Sequence, residues 1–101
     1  MLTAEAINGF KEYVKRTVAY ARYKVGSTYY QTNLTKVYTD SDGKVAIEFQ
    51  AGNEVSGNIT VTEVQLFNTS GNLWLSKTES LQRKSTQEAI WYRFTIDIQE
   101  V

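Results

Sequence analysis

Apolar residues near the N-terminus recur at helical spacing and then give way to strict alternation. Ile7, Phe10, Val14, Val18, Ala21 and Val25 step by three or four positions, lining one face of a 3.6-residue period. Thr3 is placed as an N-cap, and Glu5 lies in the first turn, where the helix dipole favours an anion. Leu2 and Ile7 occupy the N′ and N4 positions of a hydrophobic staple. Glu12 and Arg16 stand four apart in the favourable order, and Gly26 suits a left-handed stop. The pattern predicts a helix from residue 3 to about 20, with an end that falls between Lys15 and Val25. TVAYARYKV is also β-like. Val18 and Tyr20 lie on one side of it, and Ala19, Ala21, Tyr23 and Val25 on the other. Both readings stay open up to Val25.

From Ser27 onward the period is two. Residues 28–39 (TYYQTNLTKVYT) are rich in Tyr, Thr and Val, and a DSDG turn leads into VAIEF, with Val45, Ile47 and Phe49 on one face. AGNEVSGN is a longer connection. In ITVTEVQLF, Ile59 and Val61 are in one phase and Val64 and Leu66 in the other, and a β-bulge at Thr62 or Glu63 reconciles them. NTSGN is a tight connection with Gly71 suited to the left-handed position, and LWLSKT is the next strand. Residues 79–88 (ESLQRKSTQE) are polar and loop-like. Ile90, Tyr92, Phe94, Ile96 and Ile98 then alternate with Trp91, Arg93, Thr95, Asp97 and Gln99. The expected fold is α+β: an N-terminal amphipathic helix packed on a mainly antiparallel sheet of about five strands.

The totals narrow what such a fold can do. The chain of 101 residues fits a single domain, residues 1–101. No apolar run approaches the ~18 residues of a membrane span. Glu5, Lys11 and Glu12 interrupt any signal-peptide core after Met1. Cysteine is absent, which removes disulfides and thiolate ligands. Histidine is absent too, and with it Ser-His-Asp triads and imidazole metal sites. Catalysis would rest on carboxylates, Lys, Tyr or Ser alone, so no enzyme, cofactor or metal is expected. A net charge of zero argues against nucleic-acid and membrane-surface partners. The charge is unevenly spread. Lys11, Lys15, Arg16, Arg22 and Lys24 against Glu5 and Glu12 give residues 1–26 a charge of +3 and the remainder −3. This reads as a solvated helix face or as a basic patch for an acidic partner or neighbouring subunit. Proline is absent as well, so sheet edges lack one of their usual protections.

Individual motifs add little chemistry. Aligning DSDGK as a calcium loop, with Gly43 sixth, puts Tyr38 first and Phe49 twelfth, where Asp and Glu are required. Asp40 and Asp42 are therefore turn residues. Asn33, Asn58 and Asn68 each open an Asn-x-Ser/Thr triplet, in a sequence rich enough in these residues for chance to supply them. Glu48, Glu63, Asp97 and Glu100 form no recognisable acid-base constellation. Trp74, Trp91 and Tyr92 are the candidate interface or ligand aromatics. Trp91 should face away from the Ile90–Ile98 stripe and Trp74 away from Leu73 and Leu75. If both emerge on one face they stack a sugar or fill an interface; if the helix covers that face they are core.

ITVTEVQLFNTSGNLWLSK, followed a dozen residues on by IWYRFTIDI, resembles the I-x-I-x-E-[ilv]-x-L-[FY]-[DN]-x-x-G-x-L pattern of tail-fibre and tail-associated proteins of bacteriophages and prophages. The matching positions are Ile59, Val61, Glu63, Val64, Leu66, Phe67, Asn68, Gly71 and Leu73, and the likeness spans Ile59 to Ile98. It implies a non-enzymatic structural protein of the tail, baseplate or fibre. Such a protein self-associates, as a trimer in the family pattern, or docks on other tail proteins. It would be cytoplasmic when made in a bacterial host and part of the virion thereafter. The alternative is a monomeric module that binds a glycan on exposed aromatics.

Overall fold

The computed structural model of the protein describes residues 2–84 and 89–98. Met1, residues 85–88 of the polar stretch, Gln99, Glu100 and Val101 lie outside the described residues. Helix α1 (Ala4–Thr17) is followed by β1 (Val18–Val25), β2 (Thr28–Thr39), β3 (Val45–Ala51), β4 (Ile59–Asn68), β5 (Leu73–Arg83) and β6 (Ile90–Ile96). All pairings are antiparallel in the order β5-β4-β1-β2-β3-β6, and the sheet curls until it is nearly a barrel. The described residues form an α+β fold with six strands, one more than the expected five or so.

The extra strand comes from the ambiguous segment. Thr3 caps α1 as its spacing predicts, accepting from Ala6 N at 3.2 Å. The helix ends at Thr17, and Val18 is already extended at φ −67° and ψ 136°. β1 then pairs on both sides, with β2 and β4, so tertiary packing decides for the alternating reading. Gly26, at φ 63°, turns the β1–β2 hairpin instead of ending the helix. Glu12 pairs with Lys15 at 2.7 Å, not with Arg16. Residues 79–83, read as loop, continue β5 to Arg83.

Inside the barrel the alternate positions meet. Ala21, Tyr23, Val45, Ile47, Phe49, Val61, Val64 and Leu66 are fully buried, each large aliphatic contributing about 1.5–3 kcal/mol by leaving water. The predicted bulge is present: the β1–β4 register slips between Lys24, opposite Glu63, and Val25, opposite Val61, leaving Thr62 as the extra residue. A second slip, between Leu66 and Phe67, passes over Trp74 in β5.

The helix does not lie across a sheet face. It sits at the end where β1, β3 and β5 begin and β2 and β4 finish. Thr17 O accepts from Thr69 N at 2.9 Å, Lys15 Nζ donates to Thr39 Oγ1 at 3.2 Å, and Val14 packs on the core. No residue of α1 is fully buried. The molecule measures 50 × 28 × 22 Å, and its radius of gyration of 15.0 Å exceeds the roughly 13 Å of a compact chain this long.

Two hairpin turns at this end share one geometry. In DSDGK, Asp40 Oδ1 accepts from Asp42 N and Lys44 N at 2.9 Å each, and Asp40 N donates to Lys44 O. In NTSGN, Asn68 Oδ1 accepts from Ser70 N at 3.0 Å and Asn72 N at 2.9 Å, and Asn68 N donates to Asn72 O. Gly43 and Gly71 take φ 81° and 78° at the same place in each.

Candidate functional site

At twelve residues β2 is long enough to serve two partners. Its first half pairs with β1 as far as Asn33 and its second half with β3 from Leu34. Where it changes partners, residues 31–33 part from the end of β3, and a side-chain bond, Thr32 Oγ1 to Gln50 O at 3.3 Å, crosses the fork. The result is a notch of about 420 Å³ whose wall includes Gln31, Asn33, Thr35, Gln50, Asn53 and Glu54. Tyr23, Ala21 and their β2 partners Tyr30 and Thr32 point inward, so Gln31 and Asn33 belong to the outer face.

The far wall of the notch is a connection, residues 52–58, that crosses the end of the barrel from β3 to β4. Arg83 holds it. This side chain is buried and donates from Nη1 to Gly52 O at 2.6 Å and from Nη2 to Val55 O at 2.7 Å and Gly57 O at 3.1 Å. Gly52 is left-handed at φ 102°, and a Cβ there would stand 2.5 Å from Arg83 Nη1. From inside the barrel the Tyr23 hydroxyl donates to Glu54. Burial, with that carboxylate beside it, pushes Tyr23 up to about 12. Nothing local to residues 79–83 marks Arg83 as a tie to residues 26 to 31 positions earlier. The notch residues left one faint signal, a β2 about twice the usual strand length.

The three aromatics singled out from sequence are not brought together. Trp91 projects from the outer face, 61% exposed, directly across the ladder from Gln50. Directly opposed residues share a face, so the indole stands beside the notch. Tyr92 points inward against Phe49 and Phe94, and its hydroxyl donates to Glu79 across the gap between β6 and β5. Burial beside that carboxylate raises the Tyr92 phenol well above its ordinary value. Trp74, re-aimed by its bulge, is half-buried against the core and the ring of Tyr13 at 6.3 Å. Below the Tyr92–Glu79 bond the barrel stays open as a slot of about 490 Å³ lined in part by Leu75, Tyr92, Phe94 and Ile96.

The carboxylates act as acceptors. Glu63 receives the hydroxyls of Ser76 at 2.6 Å and Tyr29 at 2.7 Å and the Gln65 amide at 2.8 Å. The two hydroxyl bonds hold it below the usual carboxylate range, and the bond to Glu63 raises Tyr29. Above Tyr29 lies the guanidinium of Arg22, 4.7 Å from that ring and 5.2 Å from Phe67. Glu48 receives the Tyr38 hydroxyl at 2.6 Å, and Asp97 is exposed just past β6. Among the described residues no group of acidic side chains converges to hold a metal ion. No protein-family model matches the chain, and no curated protein or solved structure matches it.

Proposed function

We propose that this chain is a structural component of the tail, baseplate or fibre region of a phage or prophage particle, acting by self-association and docking rather than by chemistry. One observation carries the reading. The apolar arc of α1 is wider than the surface the barrel offers it, leaving Phe10 and Tyr13, three residues apart on one stripe, at 49% and 54% exposure, while Leu2 just before the helix is 43% exposed. Stripes of this kind mark interfaces when they gather on one element. A second copy is the partner the charge favours, because residues 1–26 carry +3 and the rest of the chain −3. The likeness to tail proteins supplies the setting. Its Asn68 and Gly71 positions close the β4–β5 hairpin, and its Glu63 organises the outer face.

No described helix is long and apolar enough to cross a membrane. Light scattering over a concentration series tests the reading. A trimer or another closed oligomer that persists on dilution is the expected result. A monomer at every concentration removes self-association.

A further inference from the structure

We propose that the notch between β2 and β3, with Trp91 at its side, binds a neutral carbohydrate. This goes beyond the assembly reading and stands without it. Gln31, Asn33, Gln50 and Asn53 put four carboxamides around one concave space. Each carboxamide carries donors and an acceptor on adjacent atoms, which suits the paired hydroxyls of a pyranose. Asn53 Nδ2 already donates to Gln50 Oε1 at 3.0 Å, fixing that pair. Gln31, Asn33 and Thr35 make no side-chain hydrogen bond among the described residues, so their polar atoms are free for a ligand. The fork adds main-chain groups, because β2 pairs with β3 only from Leu34 onward.

Beside these groups stands the aromatic surface that sugar binding requires. Trp91 presents its ring on the face that bears Gln50, and an exposed indole packs well against the C–H face of a sugar ring. Charge selects among sugars. Among the described residues the notch is lined by Glu54 and by no cation, so uronic and sialic acids meet a like charge where neutral sugars do not. At about 420 Å³ the space falls toward the lower end of the ~300–1,000 Å³ typical of small-ligand clefts. The walls are preset, since Arg83 fixes the 52–58 connection that carries Asn53 and Glu54.

The test follows the Trp91 indole N–H by two-dimensional ¹H–¹⁵N NMR while lactose, maltotriose and triacetylchitotriose are each raised to ~10 mM. The same titration with trigalacturonate reports the charge preference. At least one neutral sugar should shift the resonance to saturation, while the Trp74 indole stays in place. Gln31→Ala and Asn33→Ala, both at exposed positions, should melt as the parent does and weaken binding about ten-fold each, ~1.4 kcal/mol. Trp91→Ala, read by calorimetry, should abolish it. Trigalacturonate should bind at least ~10-fold more weakly than the best neutral sugar. Three results would overturn the proposal: no saturable shift with any neutral probe, binding indifferent to Gln31 and Asn33, or a preference for the acidic trimer. Light scattering on the same samples reports assembly separately, so failure of one proposal is not mistaken for failure of the other.

Discussion

Asp40 and Asn68 close the helix end of the barrel by bonding backbone N–H groups two and four residues further on, whereas Arg83 and Tyr23 close the notch end by reaching residues 26 to 31 positions away. The helix end is assembled from short, self-sufficient pieces, each a turn or a cap that fixes only its own neighbours. At the notch end a single cation satisfies three carbonyls of a connection with little regular structure of its own. Local closures cost little chain entropy and fail one at a time. A long-range closure fixes much more chain and fails as a unit. The two ends should therefore differ sharply in their response to substitution.

Arg83→Met should be the most damaging change. It keeps the bulk but leaves the carbonyls of Gly52, Val55 and Gly57 without their donor. A loss of about 3 kcal/mol is expected, read as a lower urea midpoint. Gly52→Ala should cost about 2 kcal/mol by combining a left-handed backbone with a clash against the same guanidinium. If the end fails as a unit, the double variant should lose clearly less than the sum of the two. At the other end, Gly43→Ala and Gly71→Ala should each cost about 1–2 kcal/mol and should add, because the two turns share a geometry but no contact given by their hydrogen bonds. Thr3→Ala should cost about 1 kcal/mol or less, seen as fraying of the first helical turn by circular dichroism.

The last contrast is silent at neutral pH. Tyr23 has its phenol raised from 10.0 to about 12 in the folded protein. Its contribution is therefore fully present below pH 10 and is lost as the unfolded chain ionises first, between about pH 10 and 12. Tyr92 shifts in the same direction. Urea midpoints of the parent should fall through that window, and Tyr23→Phe should flatten the fall.

Legibility in the sequence follows the same divide. The Thr3 cap, the Asp40 and Asn68 turns, the Thr62 bulge and the outward face of Trp91 are written in spacings of a few residues, and each is where its spacing places it. The segment Val18–Val25 was ambiguous because its pattern satisfies both periods, and only pairing with β2 and β4 decides it; that one segment accounts for the sixth strand. Residues 79–83 look like a loop because they are polar. They form strand because they pair with the start of β4, Leu81 opposite Val61 and Arg83 opposite Ile59, and Leu81 packs on the core. The notch was hidden for the same reason, since Gln31, Gln50 and Asn53 meet only through the fork in β2. The two tryptophans illustrate the limit. Their alternation was visible, but that Trp74 is turned toward Tyr13 while Trp91 stands beside the notch depends on a bulge and a strand register.

The most direct test of the assembly claim compares the parent with Phe10→Ser/Tyr13→Ser by light scattering at matched concentrations, with circular dichroism to confirm that both are folded. The parent should be a closed oligomer and the variant a folded monomer if, as proposed, the exposed stripe of α1 forms the contact. A monomeric parent, or a variant that assembles as the parent does, would contradict the account.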